Sequence, residues 1–371
     1  MSPAPQAAEG AGSDGPLLGL ITSRRVVICA GPGGVGKTTT AAALALEAAR
    51  RGRRAVVVTI DPAKRLADAL GLGELTNDPR RVEPSWEGDG QLWALMLDVK
   101  TTFDEVITRY AAGPDQAKAI LDNRLYRNIS GALSGTQEYM AMEKLYELAT
   151  DGRFDLVVVD TPPTRHALDF LDAPARLLRF LNNRFFRVLM TPTRAGLRAF
   201  NMATQGLLKA VSRVIGGAVV RDAVAFFVAF EGMEQGFRDR FTKVDALVND
   251  PATAFVVVSA PRRDAVDESL FFAGRLDSSG QHTEVLVVNR LLPRFGPAPA
   301  VGATDIDGGP LAGLVRNARD LDDVARAEER YVDLLTRRVT GAAVVRVPML
   351  ADDVHDLAGL GLVAGHLFAS S

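Results

Sequence analysis

The sequence predicts an α/β fold: a doubly wound, mostly parallel sheet that carries an inserted helical subdomain. Short runs rich in Val, Ile and Leu alternate with helical stretches along the 371 residues. Parallel strands are joined by crossover connections, usually helices, so this alternation favours a parallel sheet with helices on both faces. A long stretch without a strand, between Arg165 and about Asp250, interrupts the alternation and predicts the insertion.

Composition is that of a soluble globular protein, with 47% hydrophobic and 24% charged residues. The formal charge of −2 argues against a basic nucleic-acid surface. The single cysteine, Cys29, cannot form an internal disulfide, and no Cys/His cluster suggests a zinc site, so we expect a reducing cytoplasm. The sequence contains no uninterrupted run of about 18 apolar residues, so we expect no transmembrane segment. Any membrane role is expected to be peripheral.

The order of elements can be followed along the chain. Residues 1–23 lack the regions of a signal peptide and are expected to be a flexible tail, followed by one domain over 24–371. The predicted strands are residues 25–30, 55–60, 92–99, 154–160, 254–260, 284–289 and 343–347. The helical subdomain is expected over about 101–151 and 166–250, a flexible loop over 293–313, and a charged helix over 314–338.

A glycine-rich motif follows the first strand and matches G-x-x-x-x-G-K-[ST], which predicts a P-loop NTPase core that binds ATP and Mg²⁺. Its amides can surround the phosphates, Lys37 can reach the β- and γ-phosphates, and the Thr38 hydroxyl can bind Mg²⁺. A glycine-rich turn with a solvated lysine is the alternative, but the motif lies between a strand and a helix as phosphate binding requires. The residues expected to contact nucleotide here are Gly31, Pro32, Gly33, Gly34, Val35, Gly36, Lys37, Thr38 and Thr39.

Two aspartates follow strands at the same predicted edge of the sheet, where ligands of parallel sheets bind. Asp61 can orient the attacking water or cap a helix, and the two roles are compatible. Asp160 can hold Mg²⁺, directly or through water, although a strand-ending aspartate before prolines is often a turn residue. His166 either contacts this switch or packs inside. Lys37, Asp61 and Asp160 are therefore the predicted catalytic residues, with Thr38 and Asp160 at the metal.

Taken together, four motifs in this order resemble the ArsA-type ATPases. They are the loop with its Gly33-Gly34 pair, the Asp61-Pro62-Ala63 segment, the segment from Asp160 to His166, and the Val288-Asn289 strand end. The family includes the arsenite-pump ATPase and the ATPases that guide tail-anchored membrane proteins, and the resemblance extends from about Arg24 to the C-terminus.

The resemblance implies roles for particular residues. Asp61 would belong to switch I and position the hydrolytic water, and Asp160 would begin switch II. Asn289 would bind the adenine, and the segment Val347-Pro348-Met349-Leu350 would close over the base. Without the family pattern, Asn289 reads as a turn residue at the end of a strand.

The sequence also departs from this family at the second residue of the loop, where members carry a lysine that crosses a dimer interface. Here that residue is Pro32, which has no cation. A lysine-bearing paralogue or a local substitute such as Arg165 could replace it, unless Arg165 is merely a surface residue. The metalloid-binding cysteines of arsenite pumps and the Cys-x-x-Cys pair of the tail-anchor relatives are also missing.

The function expected from these features is an Mg-ATP-dependent ATPase whose conformational switch engages a protein partner or client. A homodimer or heterodimer is expected, with slow turnover in the absence of a partner lysine, and the client is expected to be membrane-associated. The alternatives are a regulatory nucleotide-binding subunit and the energising subunit of an anion transporter. The Phe/Met/Leu-rich helices between Arg176 and Phe241 form either a client groove or an ordinary core.

Overall fold

The computed structural model describes residues 15–60, 65–83, 86–129, 136–162, 222, 225–226, 228–294 and 312–369, and the following structural statements concern those residues. They contain an eight-stranded sheet with the order β3-β4-β2-β5-β1-β6-β7-β8. Its strands are β1 (Val26–Ala30), β2 (Arg54–Thr59), β3 (Arg80–Arg81), β4 (Gln91–Met96), β5 (Leu156–Asp160), β6 (Thr253–Ser259), β7 (Thr283–Leu291) and β8 (Ala343–Pro348). All neighbouring strands are parallel except β3 and β4. This arrangement places β1 in the middle of the sheet, between β5 and β6.

Helices cover both faces of the sheet, which confirms the doubly wound α/β fold. They are α1 (Pro16–Ser23), α2 (Lys37–Arg50), α3 (Arg65–Ala69), α4 (Val99–Tyr110), α5 (Pro114–Leu121), α6 (Arg124–Ile129), α7 (Thr136–Thr150), α8 (Glu234–Val248), α9 (Arg263–Ser278), α10 (Ala312–Arg338) and α11 (Leu357–Phe368). One buried cluster joins α1, α2, α3 and α11 to one face of the sheet. Another joins α7, α8, α9 and α10 to the opposite face.

Strand β1 shows why its sequence is continuously apolar rather than alternating. Val27 and Cys29 lie in the cluster on the α2 face, whereas Val26 and Ile28 lie in the cluster on the opposite face. Successive side chains of a strand point to opposite faces, so a strand covered on both sides needs apolar residues throughout. The strand that carries the glycine-rich motif is thus held from both sides.

Helices α4 to α8 share an apolar cluster of their own, built around packed aromatic rings such as Tyr139 against Phe241. A fully buried carboxylate, Glu143 of α7, lies beside it. Arg240 of α8 donates from Nε to Glu143 Oε1 at 2.8 Å, and Arg109 of α4 lies 3.4 Å from the same oxygen. We call these three residues the Glu143 cluster. The division of these helices into a subdomain remains a prediction.

The structure corrects the predicted limits of several elements. The expected flexible tail to residue 23 is wrong from Pro16 onward, because Leu17, Leu20 and Ile21 are buried on one side of α1. Their spacing is that of an apolar helical face, and Pro16 stands in the first turn, where proline is tolerated. The strand expected over 92–99 ends at Met96, and α10 begins two residues earlier than predicted.

Candidate nucleotide-binding site

The backbone between β1 and α2 requires glycine at two points. Gly31 has φ 154°, and a Cβ placed on it would lie 2.0 Å from the carbonyl oxygen of Val258. Gly36 caps α2 with φ 95°, and a Cβ there would lie 2.3 Å from Nδ2 of Asn289. A side chain at either position would collide with β6 or with the end of β7, in addition to the strain of positive φ. The loop is therefore shaped by close packing against two neighbouring strands.

Lys37 is the first residue of α2 and is only 8% exposed. Its ammonium Nζ donates a hydrogen bond to the carbonyl oxygen of Pro32 at 2.8 Å, which holds the side chain back along the loop. The start of a helix favours an anion, because its first amides and its dipole present positive charge. The ammonium group of Lys37, held within the same loop, adds to that preference for an anion such as phosphate.

A buried carboxylate lies directly behind the start of α2. Asp160, the last residue of β5, is 1% exposed. Its Oδ2 atom accepts hydrogen bonds from Thr38 Oγ1 at 2.7 Å and from Thr59 Oγ1 at 2.9 Å. Thr59 reaches it because the β2–β5 register places the two residues side by side. The carboxylate of Asp160 therefore links the ends of β2 and β5 to the first turn of α2.

Hydroxyl and carboxylate oxygens such as these are the ligands that Mg²⁺ prefers, usually with only one or two protein ligands beside substrate phosphates and water. The part of the chain that the structure describes has no cluster of three or more His, Cys, Asp or Glu side chains that could hold a metal by themselves. The residues present thus fit a phosphate-bound Mg²⁺, with Thr38 nearest to the loop and Asp160 behind it.

Cys29, in register with Asp160 on the neighbouring strand, does not act as a reactive group. Burial raises the pKa of its thiol well above the ordinary value, and the negative charge of Asp160 raises it further. The thiolate is the nucleophilic and metal-binding form, so the neutral thiol behaves as a small apolar core residue. The backbone of Cys29 is used instead, since its carbonyl accepts the hydroxyl of Thr161 at 2.9 Å.

Asn289 lies at an irregularity in β7 and contacts the loop directly. Its Nδ2 atom donates to the carbonyl oxygen of Val35 at 2.8 Å, and its Oδ1 accepts the amide of Arg290 at 2.9 Å. Arg290 has φ 63°, and the ladder with β8 shifts between Val288 and Leu291. This local kink turns the asparagine toward the loop, so the side chain joins the end of β7 to the phosphate-binding motif.

These elements border a cleft of about 1230 Å³, larger than a typical small-molecule site and roomy enough for a nucleotide. Among the predicted residues, those that line it are Gly33, Gly34, Gly36, Lys37, Thr38, Thr39, Asn289 and Pro348. Four others lie behind the lining. Gly31 packs on Val258, Pro32 accepts from Lys37, Val35 is in the core, and Asp160 stands behind Thr38. Asp61, Arg165 and His166 lie outside the described residues.

Sequence reasoning missed several polar side chains at this edge. Thr59 was overlooked, although a polar residue that ends an apolar strand next to the Asp160 strand is a usable signal. Arg65 and His355 line the cleft, and nothing in their local sequence indicates it. Arg262 lies near the loop, with its Nη2 atom 3.4 Å from the carbonyl oxygen of Gly33. The two residues are 229 positions apart in the sequence, so no local pattern indicates the contact.

Replacing Asn289 with alanine should test whether this residue positions the loop. We expect Asn289→Ala to weaken binding of both ATP and inorganic tripolyphosphate by roughly fivefold, because loss of a partly buried hydrogen bond costs about 1 kcal/mol. Isothermal titration with each ligand measures this. Asn249→Ala, at the C-terminus of α8 and outside the lining of the cleft, is the control of the same residue type. If ATP binding weakened while tripolyphosphate binding stayed unchanged, Asn289 would contact the base alone.

No helix in the described ranges is both long and apolar enough to cross a bilayer.

Comparison with known proteins places these features in a family. A family model described as anion-transporting ATPase, ArsA type, matches residues 24–297. An uncharacterized protein of Streptomyces coelicolor is 32% identical over 74% of this chain, and the match spans 64% of that protein's own length. The ATPase ARSA2 of Chlamydomonas reinhardtii is 25% identical over 88% of this chain and 80% of its own. The ATPase get3 of Botryotinia fuckeliana is 25% identical over 90% of this chain and 86% of its own.

The family match covers the glycine-rich loop and Asn289, which line the cleft, and Asp160, which lies behind Thr38. It also covers more than half of the chain. The chain therefore belongs to the anion-transporting ATPase family and is an ArsA-type P-loop ATPase.

Proposed function

We propose that this ATPase binds Mg-ATP in the cleft and uses binding and hydrolysis to switch the helices α4 to α8, which engage a protein partner. The observation that carries the proposal is the position of Asp160. Its carboxylate is hydrogen-bonded to Thr38 at the start of α2, and its strand follows directly on α7. Asp160 thus ends, within the nucleotide site, the same strand that α7 leads into and packs against.

Within the proposed site, Lys37 and the amides of the loop hold the β- and γ-phosphates. Thr38 and Asp160 hold Mg²⁺, which neutralises charge on the phosphate oxygens. Asn289 and Pro348 border the base. Asp61 positions the attacking water, a role that rests on the family resemblance.

Coupling to the helices proceeds through α7 and the Glu143 cluster. Arg240 of α8 approaches Glu143 with Nη2 at 2.7 Å from Oε1, in addition to its Nε contacts. Arg109 of α4 bridges Glu143 and, at 2.9 Å, Glu147. Removing one partner of a buried ion pair costs about 3–5 kcal/mol. These three helices therefore resist separation, and a shift of α7 with the end of β5 is transmitted to α8.

Hydrogen exchange tests the proposed switch. We expect ADP and a non-hydrolysable ATP analogue both to slow amide exchange in residues 31–39, because the loop amides bind phosphate. Exchange in α8 should differ between the two nucleotides, since the γ-phosphate acts at Asp160. Helix α10, which packs away from the Glu143 cluster, is the internal control. Equal exchange in α8 with both nucleotides would contradict the switch while leaving the ATPase assignment intact.

Pro32 supports an alternative in which the chain is a regulatory subunit with little turnover of its own. In that case a homodimer lacks the cross-interface lysine that the family resemblance implies, and a lysine-bearing paralogue supplies it. Turnover measured for the isolated chain and for the mixture with such a paralogue separates the two functions, because rapid turnover by the isolated chain contradicts the regulatory one.

We place the protein in the cytoplasm, peripheral to the membrane when it meets a membrane-associated client. Co-purification with membranes would favour the energising subunit of an anion transporter.

A further inference from the structure

A second positive side chain lies beside the phosphate loop, outside the lining of the cleft. Arg262 follows β6, the strand whose Val258 carbonyl touches Gly31. Because β6 neighbours β1 in the sheet, the turn after β6 emerges at the same edge as the loop. The guanidinium Nη2 of Arg262 lies 3.4 Å from the carbonyl oxygen of Gly33. A cation is thus placed at Gly33, the residue that follows Pro32 in the loop.

The contacts of Arg262 are long, and they leave much of its hydrogen-bonding capacity unused. Its Nε atom lies 3.5 Å from Asp264 Oδ1, and its side chain is 51% exposed. Both contacts lie at the outer limit of hydrogen bonding, whereas a guanidinium has five N–H donors arranged to match a carboxylate or a phosphate. The side chain can therefore exchange these partners for a better anionic one at low cost.

Helix stability does not explain an arginine here. Arg262 is the N-cap of α9, and it makes no side-chain capping bond. Cations are disfavoured at a helix N-terminus by the dipole, and arginine is not among the usual capping residues. The neighbouring Arg263 is 87% exposed and has only a 3.8 Å contact with Asp267. It offers a cation of the same type that does not touch the loop.

The proposed orientation of ATP directs its terminal phosphate toward Arg262. In the proposed orientation, the base binds beside Asn289 and Pro348, and Lys37 with Thr38 holds the phosphates; all four residues line the cleft. The γ-phosphate then lies nearest to Gly33 and Gly34, beyond Lys37. Gly33 both lines the cleft and contacts Arg262 on its outer side. The proposal requires the guanidinium to move, by rotation of the arginine side chain, from the Gly33 carbonyl oxygen to a phosphate oxygen.

We propose that Arg262 is a catalytic residue of this ATPase, which binds the γ-phosphate of ATP held in the same chain and supplies the cation that Pro32 does not. In hydrolysis, a water oxygen bonds to the γ-phosphorus as the bond to the bridging oxygen breaks, ADP leaves with the electron pair, and the proton lost by the water passes to the phosphate product or to solvent. Negative charge on the transferred group and on the bridging oxygen is stabilised by a guanidinium. In GTPases, an arginine that contacts the transferring phosphate, in cis or in trans, raises the rate of hydrolysis by about 10³-fold or more. The inference rests on the proposed nucleotide site.

The test compares Arg262→Ala with Arg263→Ala in the full chain. We expect Arg262→Ala to lower ATP turnover by about 10³-fold and to weaken binding of MgADP with aluminium fluoride, a mimic of the transferring phosphate. Binding of MgADP alone should be unchanged, because ADP lacks the group that Arg262 contacts. Arg263→Ala should match the parent in all three measurements. Melting temperatures establish that both variants are folded.

Two further variants separate a catalytic charge from a structural role. Adding Pro32→Lys to Arg262→Ala should restore part of the turnover, because a lysine at that point returns a cation to the loop. Arg262→Lys should be intermediate, since it keeps the charge but loses the planar fork. If neither change recovered any activity, the effect would not depend on the cation and the proposal would fail.

Three other outcomes would overturn the proposal. Equal binding of the aluminium fluoride complex by Arg262→Ala and the parent would exclude a contact with the γ-phosphate. Loss of that binding in Arg65→Ala, with Arg262→Ala unaffected, would assign the role to Arg65, one of the arginines that line the cleft. Recovery of Arg262→Ala turnover on mixing with a Lys37→Ala chain would show that Arg262 acts from a partner. Failure of the parent to bind MgADP at all would instead contradict the proposed nucleotide site.

Discussion

Replacing Lys37 with alanine is expected to abolish most ATP turnover, by about 10²–10³-fold or more, while the fold is retained. Lys37 is a buried cation at the first position of α2, and Nζ is curled back onto the Pro32 carbonyl within the loop. In the nucleotide complex the same ammonium would exchange this carbonyl for phosphate oxygens. Without it, charge that develops on the phosphates has lost its nearest compensating group.

Phosphate release measures the turnover of Lys37→Ala, and titration with ATP measures its affinity. Alanine is the best helix former, so α2 should begin at the same place and melting should change little. Lys100→Ala is the control. Lys100 also lies in the first turn of a helix, but its side chain is 60% exposed and pairs with Asp104 one turn further along. Retention of parental turnover by Lys37→Ala would show that the loop is not the phosphate site.

Replacing Asp160 with asparagine should produce the second large effect, a fall in turnover of about 10²-fold together with a higher Mg²⁺ requirement. Asparagine has nearly the same shape and its oxygen can still accept the hydroxyls of Thr38 and Thr59. What it lacks is the negative charge that strengthens those bonds and favours Mg²⁺. The expected signature is therefore a loss of activity that excess Mg²⁺ partly recovers.

Turnover as a function of Mg²⁺ concentration measures this dependence, and ADP affinity with and without Mg²⁺ gives an independent reading. Asp155→Asn is a control from the other end of β5. There the carboxylate forms an exposed pair with Arg54 at 2.7 Å, and the hydrogen bond from Arg54 lowers the pKa of Asp155. Exposed pairs contribute about 0–1 kcal/mol, so this variant should keep the parental Mg²⁺ dependence. An unaltered Mg²⁺ profile in Asp160→Asn would remove Asp160 from the metal site.

Much of the fold follows from local sequence pattern. Strands β1, β2, β5 and β6 are rich in β-branched residues and are buried on both faces, and the helices between the strands have the apolar spacing of covered surfaces. The exceptions have weak local signals. The two-residue strand β3 is too short to show any period, and α1 follows a segment whose small and polar residues indicate a tail. Its burial depends on α2 and α11, which lie elsewhere in the sequence.

The candidate site was partly predictable for a similar reason. The glycines, Lys37 and Thr38 are adjacent in sequence, and their spacing is itself the mechanism of phosphate binding. Asp160 could be located because polar residues that end parallel strands gather at one edge of a sheet. The hydrogen bond from Asn289 to the carbonyl oxygen of Val35 could not be predicted in this way. It depends on the kink at Arg290 and on the absence of a Cβ at Gly36.

The sequence by itself determined the fold class, the family and the identity of the phosphate loop, because these depend on residues that are neighbours along the chain. It also determined that the second position of that loop, Pro32, has no cation. Only the tertiary structure decided which distant groups reach the loop. The order β5-β1-β6 brings Asp160 to Thr38 and Arg262 to Gly33. Strand order is set by the burial of whole faces rather than by any local motif, so contacts across more than a hundred residues had to be read from the packed sheet.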